Sequence, residues 1–317
     1  MDRASNKIDN TLTLAARIQG VLVRLTAAYL RRSSIQTARW RLAKYAIAGV
    51  RKDGSRLGHA VVKTQYGFLM DLALGDWVDQ HIFATGNYED PISMIIQSTL
   101  RTGNTFIDVG ANIGFFSLLA SKTVGPQGSV TAFEPGEVQR IRLERNIALN
   151  RFDNIAVAPV ALSDESGEAI FHLGPLQNSG ISSLCIHRES AGTTTIKTIT
   201  FDEVWNQDKP VHLFKIDVEG AEAKVLRGMS RCLNRWAPNI VLEVTDDALH
   251  RFGDSAANLC NCLIDRGYSM YWIEWNGLRP LAGWADDLPS QFNAFFTTQS
   301  SRQLPLPLIE GVLVNTS

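Results

Sequence analysis

The chain has 317 residues, 45% of them hydrophobic and 20% charged, which is the composition of an ordinary folded globular protein. Its apolar runs are shorter than the roughly 18 residues that a membrane-spanning helix needs. Its four scattered cysteines argue against a disulfide framework and predict free thiols in a reducing, cytoplasmic compartment. The net charge of −1 hides an asymmetry, because residues 1–56 carry a net +9 and residues 57–317 a net −10.

The basic N-terminal segment is predicted to be helical. Arginines recur every seven residues from Arg17 to Arg31 on one face of a helix, and an apolar face includes Val21 and Leu25. Three interpretations stay open: a helical extension packed on the body, a basic amphipathic segment that contacts an anionic membrane surface, and an organelle presequence. A turn-rich stretch at residues 51–56 then predicts a boundary. The predicted division is an extension at residues 1–55, a main domain at 56–300 and a C-terminal tail at 301–317.

The main domain is predicted to alternate strands and helices. It begins with two short strands at residues 61–64 and 67–72 and with helices at 76–86 and 91–100. A regular series follows: strand 105–109, helix 113–122, strand 129–133, helix 137–150 and strand 155–161. Such alternation predicts a parallel sheet with helices on both faces.

Residues 163–201 interrupt this series. They are rich in Gly, Ser and Thr, with strand-like pieces at 168–173 and 193–200, and predict an excursion at the carboxyl edge of the sheet. The alternation resumes with strand 211–218, helix 221–233, strand 239–244, helix 255–266 and strands 268–275 and 293–298.

The first strand of the regular series leads into a glycine turn with the pattern D-x-G-x-x-x-G, from Asp108 through Gly110 to Gly114. Glycines let a backbone approach a ligand closely, and the N–H groups at a helix N-terminus face such a site. The spacing differs from the G-x-G-x-x-G pattern of dinucleotide sites. It fits a nucleotide-like ligand with a cationic amino-acid end, although an ordinary strand-turn-helix connection remains the alternative.

Acidic residues follow four of the predicted strands, where ligands of an open parallel sheet bind. They are Asp108, Glu134, Asp217 with Glu219, and Glu243. Glu134 lies 24 residues after Gly110, a spacing at which a carboxylate can accept bonds from ribose hydroxyls, although it could also cap the next helix. Lys215, Asp217 and Glu219 alternate on one face of an otherwise interior strand, which favours a functional role.

The remaining candidates are less specific. Ser163 and Asp164 follow the third strand of the series, where an adenine would lie, but a Ser-Asp pair is equally typical of a plain turn. None of the six histidines lies in a diagnostic motif, and no pattern of His, Cys and carboxylates predicts a metal.

Four motifs in order resemble the FkbM-type S-adenosylmethionine-dependent methyltransferases: residues 106–114, 132–135, 160–164 and 214–222. The resemblance spans about residues 86–298. It implies the class I methyltransferase fold, a seven-stranded sheet whose last strand is antiparallel, and S-adenosylmethionine as cofactor. The matching positions place Asp108, Gly110, Asn112 and Gly114 around the amino-acid portion of the cofactor, Glu134 at the ribose, and Ser163 and Asp164 at the adenine.

The family mostly methylates hydroxyl groups of sugars, glycolipids or polyketide-type natural products. A hydroxyl must lose its proton near the transition state, so a neighbouring carboxylate should help. Asp217 and Glu219 are the candidates for orienting and deprotonating the acceptor, with Glu243 in support. Glu89 is expected to close over the cofactor.

Three other functions are weighed against this one. A nicotinamide-dependent oxidoreductase would also use a ribose-binding carboxylate, but the dinucleotide fingerprint is missing. A scaffold protein that keeps the fold without activity is disfavoured by the intact motifs. Nucleic acid is disfavoured as a partner because the predicted cleft is acidic and repels phosphate.

Overall fold

The structure, a computed structural model, describes residues 21–29, 46–50, 58–175, 182–184, 191–205, 208–284 and 288–308. Several predictions therefore lie outside the described residues, including Arg17 and Arg31, the boundary at residues 51–56 and the tail beyond residue 308. No helix within the described residues is long and apolar enough to cross a membrane.

The centre of the fold is an eight-stranded sheet. Its strands are β3 Thr105–Val109, β4 Ser129–Phe133, β5 Ile155–Ala158, β9 Leu213–Ile216, β10 Asn239–Thr245, β11 Ser269–Glu274, β12 Gly277–Leu281 and β13 Gln291–Thr297. They lie side by side in the order β12-β11-β13-β10-β9-β3-β4-β5. The five adjacent strands β10, β9, β3, β4 and β5 run parallel to one another, and β13 runs antiparallel to both β10 and β11. The class I methyltransferase architecture is confirmed, including the antiparallel last strand.

The expectation of seven strands is wrong, because β12 adds an eighth at the edge. It pairs antiparallel with β11 through the two-residue loop Trp275-Asn276, and Gly277 opposite Glu274 is its first residue. Pro280 hides the strand in the sequence, but an edge strand tolerates a residue without an N–H donor.

A second, three-stranded sheet has the order β6-β8-β7 and contains β6 Ala161–Leu162, β7 Gly167–Leu173 and β8 Gly192–Ile199. The predicted strand at residues 155–161 is therefore wrong at its end, since β5 stops at Ala158 and Ala161 belongs to the second sheet. β7 pairs antiparallel with β8 from Gly167 to Leu173, so the described part of the predicted excursion contains a pair of strands beside the carboxyl edge of the main sheet. A two-stranded sheet of β1 His59–Lys63 and β2 Leu69–Ala73 precedes both.

Helices cover both faces of the main sheet. They are α1 Trp77–Thr85, α2 Asp90–Thr99, α3 Phe115–Val124, α4 Glu137–Asn150, α5 Phe201–Val204, α6 Glu222–Gly228, α7 Ser230–Trp236, α8 Asp246–His250 and α9 Ala256–Ile264. The single helix predicted at residues 221–233 is wrong, because it breaks into α6 and α7 around Met229. Gly228 is the last residue of α6, beside the break, and a Cβ there would lie 1.9 Å from the carbonyl oxygen of Ser163, so only glycine allows this approach.

Two apolar clusters form the core, one on each face of the sheet. The described helical residues 21–29 contribute Val23 and Ala27 to one of them, while Val21 and Leu25 are 56% and 62% exposed. Asn146 of α4, fully buried, ties the domain's first hairpin to the glycine turn. Its amide donates to the carbonyl of Ile113 (2.9 Å) and its oxygen accepts from the N–H of Asp71 (2.8 Å).

Candidate functional site

A cavity of about 480 Å³ opens at the carboxyl ends of the central strands, within the size range of small-molecule sites. We name two halves of its described lining by the order of the strands beneath them, and residues 109, 115 and 116 also line the cavity. The glycine-turn half lies at the ends of β3, β4 and β5 and comprises residues 110–113, 133–135, 139, 160–162, 171, 182 and 184. The carboxylate half lies at the ends of β9, β10 and β13 with the α1–α2 turn, and comprises residues 77, 78, 88, 89, 215, 217–219, 221, 243 and 291.

The glycine turn is held in left-handed backbone conformations. Gly110 has φ 78° and Asn112 has φ 49°, and the latter is uncommon for a residue with a side chain. A Cβ on Gly110 would lie 1.9 Å from the carbonyl oxygen of Asp217, so this glycine lets β3 and β9 approach each other at the cavity floor. The side-chain oxygen of Asn112 is buried and has no hydrogen-bond partner in the structure. It is therefore an acceptor that a ligand in this half could satisfy.

Glu134 lines the glycine-turn half with its carboxylate fixed by two backbone groups. The N–H groups of Asn112 and Gly136 donate to its two oxygens, each at 2.8 Å. Burial raises the pKa of Glu134 to about 7, although these two N–H groups lower it. The remaining lone pairs can accept hydroxyl donors, which is the arrangement that a ribose needs.

Four of the predicted site residues do not line the cavity. Asp108 is fully buried behind the turn, where one oxygen accepts from the hydroxyl of Ser117 (2.6 Å) and the other has no partner. Gly114 begins α3 and packs against the side chain of Leu143. Ser163 and Asp164 turn away as a pair.

Asp164 is directed outward by the cations of α6. Its carboxylate pairs with Arg227 (3.0 Å) and Lys224 (3.8 Å), and the hydroxyl of Ser163 donates to it (3.1 Å). The sequence predicted that Ser163 and Asp164 line the cavity where the adenine would lie. The preceding residues 160–162 line it there instead. An adenine in this half would therefore meet an apolar surface.

The carboxylate half is built around a buried ammonium group. Lys215, only 4% exposed, lies 2.9 Å from the carboxylate of Asp217 and 5.2 Å from the ring centre of Phe116. Burial lowers the pKa of Lys215, but the carboxyl groups of Asp217, Asp108 and Glu89 outweigh burial and raise it. Burial likewise raises the pKa of Asp217, but Lys215 outweighs it and holds the pKa below 3.8. The two residues form a stable internal ion pair.

Three further carboxyl groups surround this ion pair and hold their protons more tightly than usual. Burial raises the pKa of Glu219 to about 8, helped by the charges of Asp217 and Glu222. Burial and the charge of Asp217 raise the pKa of Glu243 well above its usual value, and the same two causes raise that of Glu89 to about 7. Oxygens of Asp217, Glu219 and Glu243 lie within 4.8 Å of one another.

Two of these carboxyl groups come from residues in strained backbone conformations. Glu219 has φ 56° and Glu89 has φ 44°, both left-handed. Such conformations cost about 1–3 kcal/mol for residues other than glycine and cluster at functional sites. The strain aims both side chains into the cavity.

Sequence reasoning missed several residues of this half. Lys215 was assigned to the functional face of its strand without a role, and Trp77, Tyr88 and Gln291 were not singled out. A cation within the apolar run of β9 is a detectable signal, since a buried lysine needs a partner. The other three come from distant elements and become neighbours only through folding.

The known proteins that this chain resembles are methyltransferases. The family model described as the methyltransferase FkbM domain matches residues 108–270. The chain is similar to hexuronic acid methyltransferase AglP of Haloferax volcanii, with 32% identity over 46% of this chain and 57% of that protein. It is similar to Methyltransferase 1 of Beauveria bassiana, with 28% identity over 44% of this chain and 64% of that protein.

A solved structure of methyltransferase FkbM from Methylobacillus flagellatus KT is also similar. The match has 15% identity and a TM-score of 0.39, and covers 89% of this chain and 60% of that chain. The chain thus spans less than two thirds of the length of each of these three proteins.

Proposed function

Because the chain belongs to the FkbM family of S-adenosylmethionine-dependent methyltransferases, we propose that it methylates a hydroxyl group on a sugar, a glycolipid or a polyketide-type natural product. The observation that carries this proposal is the position of Glu219. Its carboxyl group lies in the cavity beside an ion pair, with a pKa near 8. A group with that pKa suits proton abstraction near neutral pH.

The glycine-turn half fits the cofactor. The fixed carboxylate of Glu134 would accept the ribose hydroxyls, and the unpaired side-chain oxygen of Asn112 would accept from the amino-acid portion. The apolar wall of residues 160–162 would cover the adenine. Bound there, S-adenosylmethionine supplies an electrophilic methyl group attached to a positively charged sulfur.

In the carboxylate half, Glu219 is the proposed proton acceptor for the hydroxyl. Asp217 is held ionised by Lys215 at 2.9 Å, so it is a weak base and serves to orient the acceptor. Glu243, fixed by the amide of Gln291 at 2.8 Å, supports both groups. Glu89 borders the same half, so we assign it to the acceptor side rather than over the cofactor as the sequence suggested.

This arrangement favours a hydroxyl acceptor over a carboxylate acceptor. A carboxylate is already deprotonated, so its methylation needs no base, whereas a hydroxyl has to transfer a proton. One relative is named a hexuronic acid methyltransferase, and an acid of that class offers both kinds of oxygen. The cluster of carboxyl groups with raised pKa supports the hydroxyl as the group methylated here.

The test is a screen for release of S-adenosylhomocysteine with sugars, glycolipids and lipid extracts as acceptors. A methyl ether, which survives mild alkali, is the expected product. An alkali-labile methyl ester, or the absence of cofactor binding by calorimetry, would overturn the proposal. Glu219→Gln and Asp217→Asn are expected to bind cofactor while losing turnover. Near-normal turnover in both variants would show that neither residue is the base.

A further inference from the structure

We propose that the carboxylate half selects an uncharged, hydroxyl-rich acceptor, such as a neutral sugar ring, and rejects the corresponding anion. The inference rests on the methyl-transfer function proposed above and adds the charge and hydrogen-bonding character of the acceptor. It depends on which hydrogen-bonding groups of this half are already paired within the protein.

The ammonium and the side-chain amide of the carboxylate half each donate to one of its own carboxyl groups. The ammonium of Lys215 lies 2.9 Å from Asp217, and the side-chain amide of Gln291 donates to Glu243 at 2.8 Å. The groups that face the cavity alongside them are mostly carboxyl groups, and each becomes an acceptor only when it loses its proton, which Glu89 and Glu219 do at a pH of about 7 and about 8. A ligand that brings its own O–H donors complements this wall. A carboxylate or phosphate brings only acceptors and leaves both sides unpaired.

Charge leads to the same conclusion. Among the described lining residues of this half, four carboxyl groups face one ammonium, and that ammonium is committed to Asp217. Three of these groups, Glu89, Glu219 and Glu243, retain protons above their usual pH range because of burial and the charge of Asp217. An additional anion would have to be accompanied by further protons, so its binding should weaken as pH rises. A neutral ligand carries no such requirement.

The opening of this half offers an apolar surface for the carbon face of a ring. Trp77 is 43% exposed and lines the cavity, and its ring packs edge-on against Tyr88 at 6.4 Å between centres. An indole face in the same cavity as the carboxyl groups suits an amphipathic ring, whose C–H face is apolar and whose edge carries hydroxyls.

The test compares pairs of ligands that differ in one charge. Methyl hexopyranosides of gluco, galacto and manno configuration and their matching hexuronides are titrated calorimetrically into protein saturated with S-adenosylhomocysteine, at pH 8.5. At least one neutral glycoside should bind, with its hexuronide tenfold to a hundredfold weaker, as expected for a ligand charge about 6 Å from an ionised carboxylate. Methyl transfer to the same pairs is measured in parallel.

One substitution should change the selectivity itself. Asp217→Asn removes the partner of Lys215 and frees its ammonium for an incoming anion, so the hexuronide should gain affinity relative to the glycoside by about tenfold. The exposed Asp153→Asn is the matched control and should leave the ratio unchanged. The ratio of the unmodified protein tests the proposal even if the Asp217 variant does not fold.

The outcomes separate the two proposals. Equal or tighter binding of the hexuronides, or no binding of any neutral glycoside while cofactor binds, overturns the selectivity inference and leaves methyl transfer standing. Failure to bind S-adenosylmethionine overturns the proposed function itself.

Discussion

Replacing Glu219 tests whether its strained position serves chemistry. Its φ of 56° costs an ordinary residue about 1–2 kcal/mol relative to glycine, whereas a glycine there would lose about 0.5–1 kcal/mol of unfolded-state entropy. Glu219→Gly should therefore be neutral or about 1 kcal/mol more stable. The same variant removes the proposed base, so turnover should fall by about 10²–10⁴. Higher stability with lost activity is the signature of a residue retained for function.

The pH dependence supplies the second part of this prediction. With a pKa of about 8, roughly one Glu219 in ten is ionised at pH 7, so kcat should rise about tenfold from pH 7 to a plateau above the pKa. Glu219→Gln keeps the shape of the side chain and should lose both the rate and this rise. The exposed Glu168→Gln is the matched control.

The assay follows S-adenosylhomocysteine release at saturating cofactor between pH 6 and 9.5, beside urea unfolding of each variant. The reasoning would be refuted if Glu219→Gln kept at least a third of the rate with an unchanged pH profile. A large loss of stability in Glu219→Gly would equally show that the side chain supports the fold rather than the reaction.

Three further predictions concern the cofactor half, the cavity floor and the buried carboxyl groups. Glu134→Gln should weaken S-adenosylmethionine binding tenfold to a hundredfold by calorimetry, because an ionic acceptor of the ribose is lost, and an unchanged Kd would contradict that role. Gly110→Ala should destabilise the fold by several kcal/mol in urea unfolding, because the added Cβ would lie 1.9 Å from a backbone oxygen and the residue has a φ of 78°. A loss of stability under about 1 kcal/mol would show that β3 and β9 can separate freely. Glu222 is 1% exposed and its pKa is raised by burial to about 7, so the folded state holds a proton that the unfolded chain releases near pH 4.5. The contribution of Glu222 to stability is therefore complete below that pH and is lost as pH rises towards 7. Over this interval Glu222→Gln should gain stability relative to the unmodified protein, by a few kcal/mol in total. A difference in unfolding free energy that stays constant with pH would refute the raised pKa of Glu222.

Local patterns were sufficient for most of the fold. The alternation of apolar strands and helices through residues 105–150 predicted β3, α3, β4 and α4 within a few residues. Errors arose where contacts between distant segments decide. The predicted helix at 221–233 breaks beside Gly228, which lies against the backbone of Ser163, and Ala161 leaves the main sheet to pair with β8. Neither neighbour is visible in a local window.

In the candidate site, too, spacing along the chain predicted some positions and contacts between distant segments decided others. Glu134 lies where its spacing from the glycine turn predicted, at the end of the next parallel strand. Asp164 was a less specific candidate, as typical of a plain turn as of an adenine site, and Arg227 and Lys224 on α6 draw it outward. The direction of a charged side chain depends on the nearest opposite charge, and for Asp164 that charge comes from an element 60 residues further along the chain.

The sequence by itself determined the family, the cofactor and the strand ends at which the cavity lies, because these depend on short motifs and on the order of strands. Only the tertiary structure decided which carboxyl groups share the acceptor side and which of them keep a proton. Glu89, Glu219 and Glu243 come from three separate elements, and their pKa values rise because folding buries them together around one ion pair. Burial and the proximity of charges are properties of the assembled cavity, so no stretch of sequence contains them.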